Sequence, residues 1–221
     1  MAVAIETRTD QEIQREVLDE LRWEPRLQPN EIGVSVRDAI VTLTGWVDSY
    51  LKKWDAEQAA YRVRGVQAVV NDIEVKLAGE KTDVDIAAAA VRALEWDAAV
   101  PKDRVRVTVS KGWVTLEGEL EWQFEKEDAE AVVRRISGVK GVSNLIRVQP
   151  RIPSTDLKKK IEEALVRSAR IDADRVTVEI QGNKAKLTGT VRSWAEREEA
   201  ERAAWAAPGI LSVENRIVIS P

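Results

Sequence analysis

Apolar residues along this chain switch between two periods, and the order of the switches occurs three times. Ile13, Val17 and Leu21 recur at every fourth position, as do Ile86, Ala90 and Leu94, and then Leu157, Ile161 and Leu165. That spacing predicts a helix with one face in a core. The period then shortens to two at Ile32, Val34 and Val36 and again at Val41, Leu43 and Val47. The counterparts are Val105, Val107, Val109 with Val114, Leu116, Leu120, and Val176, Val178, Ile180 with Ala185, Leu187, Val191. Arg37-Asp38, Ser110-Lys111-Gly112 and Gln181-Gly182-Asn183 supply turn chemistry between these runs, so each pair predicts a β-hairpin. Helical spacing returns at Ala56, Ala59, Ala60 and Val63, at Ala129, Val132, Val133 and Ile136, and at Ala200, Ala203, Ala204 and Ala207. A last alternating pair, Ile73 and Val75, Ile146 and Val148, or Ile217 and Ile219, predicts a third strand.

Punctuating residues keep the same register. Gly45, Gly118 and Gly189 sit inside the second strand of each unit, and Gly65, Gly138 and Gly209 follow twenty residues later. Asn71, Asn144 and Asn215 come six residues after those and are expected to open the third strand. The fold class predicted is α+β: three tandem αββαβ units, each a three-stranded mixed sheet with two helices on one face. A right-handed strand–helix–strand crossover sets the third strand parallel to the second. The units are expected to span 1–79, 80–151 and 152–221. Short linkers near Leu77–Lys81 and Val148–Ser154 imply that the units touch. Thr9-x-x-Glu12, Thr82-x-x-Asp85 and Ser193-x-x-Glu196 predict capping boxes, and Thr155-Asp156 starts the third unit's first helix. The strand glycines are expected to admit the second helix closely, and Gly65, Gly138 and Gly209 to end that helix as C-caps.

Composition narrows the chemistry. The 221 residues are 44% hydrophobic and 33% charged, with no Cys and no His. Serine–histidine and cysteine–histidine catalysis and the usual zinc sites are therefore excluded. No catalytic residue, metal ligand or cofactor is predicted. Residues 1–80, 81–150 and 151–221 carry net charges of −5, −1 and +2, which is no nucleic-acid footprint. The N-terminal stretch has neither a basic n-region nor an apolar h-region. The longest nearly apolar run, Ile86 to Leu94, is far short of a bilayer span. A cytoplasmic protein is expected, peripheral to the inner membrane if it meets one.

Carboxylates remain as candidates: Asp83-x-Asp85, Asp172-x-Asp174 and the run Glu125-x-Glu127-Asp128-x-Glu130 offer either a hard-cation site or caps and a solvated face. Tryptophan is over-represented, at 8 against 2 Tyr and 1 Phe. Alternation places Ile40, Trp46 and Trp113 on the sheet face that the helices leave open. There they are buried between units or copies, or they form a contact surface of the kind Trp suits at a membrane boundary. Trp23 and Trp96, aligned at the end of the first helix, are expected to plug the edge of the core. Lys158, Lys159 and Lys160 oppose the macrodipole at a helix start; they are an ordinary solvated face or a site for phosphate headgroups, with Lys158–Glu162 as an i,i+4 pair.

Taken together, VTLEGEL at 114–120 and GVKGVSNLIRV at 138–148 resemble the BON domain, named for bacterial osmotic-stress and nodulation proteins. VTLTGWV at 41–47 with GVQAVVNDIEV at 65–75 matches as well, whereas the third unit departs with KLTGTV and Pro208-Gly209-Ile210. The resemblance implies a non-enzymatic, stress-associated binding or scaffold protein, with an anionic phospholipid surface or a protein as partner. A relative joining such a domain to a LysM domain binds potassium ions, so a potassium sensor is the alternative. A self-assembling homo-oligomer is another. Many family members are periplasmic or lipoproteins, which the expected location here does not match.

Overall fold

The computed structural model describes residues 8–28, 31–76, 79, 81–149, 157–167 and 175–220. The first unit holds α1 (Asp10–Trp23), β1 (Ile32–Arg37), β2 (Ile40–Val47), α2 (Tyr50–Arg62) and β3 (Ala68–Val75). The second holds α3 (Asp83–Trp96), β4 (Val105–Ser110), β5 (Trp113–Leu120), α4 (Gln123–Arg134) and a third strand split into β6 (Gly141–Asn144) and β7 (Arg147–Val148). The third holds α5 (Leu157–Arg167), β8 (Val176–Gln181), β9 (Lys184–Val191), α6 (Trp194–Trp205) and β10 (Ser212–Ile219). In each sheet the hairpin pairs antiparallel and the strand after the crossover adds parallel to the central one.

Each unit has its own core. Ile13, Val17 and Leu21 of α1 meet Val41, Leu43 and Val47 of β2 and Ala56, Ala59 and Ala60 of α2. The other two clusters use the corresponding positions, with Val133 in place of Ala60 in the second unit and with Val132 and Ala203, the counterparts of Ala59, partly buried. Alanine on α2 and α6 keeps these helices close to the sheet, since a larger side chain would hold the two layers apart.

Local chemistry explains the repeated start. Thr9 and Thr82 close capping boxes: the Glu12 carboxylate accepts from the Thr9 N–H at 2.8 Å, and the Asp85 carboxylate from the Thr82 N–H at 3.1 Å. The next acid ties helix to hairpin. Asp10 accepts from the Asp38 and Ala39 N–H groups at 2.9 Å each. Asp83 accepts from those of Lys111 and Gly112 at 2.7 and 2.8 Å. These turn residues have positive φ, as a two-residue hairpin loop demands. Thr155 and Asp156 of the third unit lie outside the described residues. Ser193 does cap α6, accepting from the Glu196 N–H at 3.3 Å, but the Glu196 carboxylate reaches back to the Arg192 N–H, so no reciprocal box closes.

Three expectations about the punctuating residues need correction. A Cβ on Gly45 would stand 2.0 Å from the Glu31 carbonyl oxygen, and one on Gly189 2.0 Å from that of Arg175. The backbone that crowds these glycines is therefore the one entering the first strand, not the second helix. Gly65, Gly138 and Gly209 do not cap the helix, whose C-caps are Val63, Arg135 and Ala206. They occupy the third position of a turn closed by Val66 N–H to the Val63 carbonyl, Val139 to Ile136 and Ile210 to Ala207. Positive φ there makes it a type II turn. Pro208 stands at the second position, which favours proline, so the third unit's departure suits the same turn. Asn71, finally, does not open β3 but lies within it. Its side-chain amide donates to the Lys53 carbonyl of α2 at 3.1 Å and to Glu57 at 3.0 Å, and its oxygen accepts from the Ile73 N–H at 3.3 Å. Asn144 and Asn215 repeat all three contacts. The asparagine is a clasp between helix and strand.

Candidate functional site

Ile40, Trp46 and Trp113 lie on the sheet face opposite the helices, 41%, 39% and 50% exposed. Among the described residues no other unit buries them. Val70 and Leu145 add exposed apolar surface to the same faces. The two indoles are held differently. The Trp113 N–H donates to the Ser143 hydroxyl at 2.8 Å, and its ring lies flat across Gly141, where a Cβ would meet the ring at 2.4 Å. Trp46 carries the Lys76 ammonium 5.4 Å from its ring centroid, a cation–π distance. The third unit has Lys184 where Trp113 stands and Thr190 where Trp46 stands, so its open face lacks the indoles and presents Val218 beside Thr190 instead.

Lys158, Lys159 and Lys160 sit in the first turn of α5. Lys158 pairs with Glu162 at 3.7 Å and Lys159 with Glu163 at 3.9 Å, both at exposed positions. These pairs reduce the local positive field, and α5 packs on the helix-covered side of its sheet. The lysines are thus not brought together with Ile40, Trp46 or Trp113 on one sheet face.

The carboxylate candidates are taken up by structure. Asp83 and Asp85 serve the hairpin and the cap described above. Glu125 is buried and accepts from the Glu121 and Trp122 N–H groups at 2.9 and 3.1 Å. Glu130 binds Arg134 and Asn144. Asp172 and Asp174 lie outside the described residues. Among the described residues no three Asp or Glu side chains converge as a metal cluster. A concavity of about 930 Å³ where β6 gives way to β7 mixes Arg104, Arg106, Lys126 and Arg147 with Asp103, Glu117 and Glu119. Its charges nearly balance, so it favours no ion of either sign.

Four tryptophans without a role in the sequence reading fall at the junctions between units. Aligned by their strands, Tyr50, Gln123 and Trp194 are equivalent, as are Tyr61, Arg134 and Trp205. Tyr50 of the first unit packs against the second unit's core, and burial pushes its phenol pKa up. Beside it the Arg134 guanidinium lies 3.8 Å over the Trp54 ring. Trp194 of the third unit packs on Tyr61 of the first, centroids 5.2 Å apart, and its N–H donates to the Gln67 carbonyl at 3.1 Å. The units thus follow one another in a cycle, first onto second and third onto first. Where the second faces the third, Gln123 replaces the aromatic residue, and a cleft of about 280 Å³ remains among Trp122, Phe124, Glu127, Arg202 and Trp205. Trp23 and Trp96 correct a further expectation: at 85% and 87% exposure they plug no core edge but project into solvent. Reading the three units in register at residues 50, 123 and 194 would have exposed the odd junction.

Comparison with known proteins bears on the scaffold. The family model for the BON domain matches at residues 9–76, 82–150 and 153–221. Osmotically-inducible protein Y of Escherichia coli strain K12 is 28% identical over 129 residues, 56% of this chain and 64% of that protein. The match therefore spans less than two thirds of that relative. An uncharacterized protein in the gshII 5' region of Anaplasma centrale is 30% identical over 125 residues, 54% of this chain and 83% of its own. CdsD, a structural protein of the type III secretion system of Chlamydia trachomatis, aligns over 93% of this chain and 90% of its own at 15% identity, but with a TM-score of 0.25. That likeness is too slight to bear on fold or function. Among the described residues no helix is long and apolar enough to cross a membrane.

Proposed function

This chain belongs to the BON domain family, and from that premise we propose that it is a non-enzymatic, stress-associated binding protein that contacts an anionic phospholipid surface. We place its units at 1–79, 80–151 and 152–221, and the protein in the cytoplasm at the inner face of the membrane. The stress association is supported by the osmotic induction in the E. coli relative's name. The observation that carries the surface reading is the uncovered sheet face of the first two units, with Ile40, Trp46 and Trp113 half exposed and Lys76 beside Trp46. Indole rings rest well at the boundary between headgroups and acyl chains, and a neighbouring lysine gains roughly 1 kcal/mol from an anionic surface.

Flotation with vesicles tests this. The expected result is binding to vesicles containing phosphatidylglycerol and none to pure phosphatidylcholine. Trp46→Ser with Trp113→Ser should weaken it at least tenfold. Changing Lys158, Lys159 and Lys160 to Glu tests the headgroup role separately. Because α5 packs on the helix-covered side of its sheet, flotation carried by the open sheet face should be nearly unchanged, whereas a large loss would move the contact to α5. No flotation, or flotation indifferent to both sets of changes, sinks the lipid reading and leaves a protein partner.

A further inference from the structure

The cleft between the second and third units is a junction without its aromatic residue. Its two counterparts show what such a junction takes. At one, Tyr50 reaches the neighbouring unit's core; at the other, Trp194 stacks on Tyr61. At the third, Gln123 turns back along its own helix and donates to Glu127 at 3.1 Å. Trp205, equivalent to Tyr61, is left facing a space bounded on the other side by Trp122 and Phe124, whose rings lie 6.3 Å apart at 27°. The volume, about 280 Å³, is on the scale of one large side chain and small for a drug-sized ligand. The chain also presents large side chains with nothing over them. Trp23 and Trp96 are equivalent positions at the ends of α1 and α3, and both project almost entirely into solvent.

We propose that the cleft receives a protruding tryptophan, Trp96 or its equivalent Trp23, from a second copy of this chain. A buried aromatic anchor in a fitted pocket is the feature that dominates most protein interfaces. Glu127 lines the cleft beside Arg202, and Arg202 pairs with Glu199 at 2.7 Å, so charge selects neither tryptophan. The fit rests on the aromatic lining and on the aromatic side chains that fill the two equivalent junctions. Each copy offers both a donor and a cleft, so the contact either closes reciprocally as a two-fold dimer or propagates head to tail, and the limiting mass of the wild type tells the two apart. It uses none of Ile40, Trp46 or Trp113, so its failure is separate from that of the lipid reading.

A complementation experiment tests it. Wild-type mass by light scattering is expected to rise with concentration above 24.7 kDa. Gln123→Trp fills the cleft from within, as Trp194 does its own junction, and should hold the protein at monomer mass with a higher Tm. Trp23→Ser with Trp96→Ser removes the donors and should also give a monomer. Mixing the two variants restores one donor chain and one open cleft, so association returns but stops at two or three chains. Wild type that stays monomeric at every concentration reached overturns the proposal. So does a Gln123→Trp protein that assembles as wild type does, or a mixture that fails to associate. If assembly is lost instead in Trp46→Ser with Trp113→Ser, the open sheet face is the interface and the cleft is not. If wild type is monomeric and Trp23→Ser with Trp96→Ser abolishes its vesicle binding, the indoles serve a membrane and the proposal also falls.

Discussion

Asp55 is a carboxylate held away from water on α2, with the Arg26 guanidinium 3.5 Å away. Burial raises its pKa above the ordinary 3.8, and Arg26 only partly offsets this. The folded state therefore binds this proton more tightly than the unfolded chain, and stability falls as pH rises through the raised value. Asp55→Asn is expected to be as stable as wild type or more so at pH 7. That advantage should shrink as pH drops through the raised value and vanish below 3.8, where the carboxyl is protonated in both states. Urea unfolding at several pH values measures the difference, and an Asn variant that is less stable at pH 7 contradicts it. At this scale the sequence is only partly legible. A glycine in a strand announces that something comes close at Gly45, but not that it is the Glu31 carbonyl. A glycine after a helix announces positive φ at Gly65, but a C-cap and a type II turn make the same demand.

Elements were the most legible scale. The two periods of apolar residues specify six helices and the hairpins, because each face either meets a core or does not. What periodicity could not show is how helix and third strand are locked. Asn144 does this through a side chain, which leaves no periodic trace. Asn144→Ala would remove the second donor to the Lys126 carbonyl of α4 and the acceptor of the Ile146 N–H. The expected cost is about 1–3 kcal/mol in chemical denaturation. Asn144→Asp should cost more, since it sets a second carboxylate against Glu130. Equal stability of either variant with wild type would remove the clasp's role. In this unit the third strand is already broken at Leu145–Ile146, so the clasp matters more here than on the continuous β3 or β10.

For the whole molecule, sequence predicts contact between units but not which faces meet. Short linkers limit distance and leave orientation open, so Trp23 and Trp96 were placed against a core they do not touch. The junction at Trp194 gives the clearest test. Trp194→Ala removes the Tyr61 contact and the bond to Gln67. It is expected to cost ~2 kcal/mol, below the ~3–5 of a fully buried Trp. Calorimetry should then resolve a separate, lower transition for the third unit, because each unit keeps its own core. A single transition at the wild-type temperature would mean that the units do not stabilise one another there.

The cyclic order of junctions has one more consequence. Three separate copies of a single unit arranged this way would form a symmetric trimer, and identical chains would place the same residue at every junction. A change that opened one would open all three. Joining the units into one polypeptide removes that constraint. Tyr50 and Trp194 can go on closing the assembly while Gln123 leaves it ajar. Covalent fusion is what permits this protein to keep a stable ring and still have one place in it that is unlike the others.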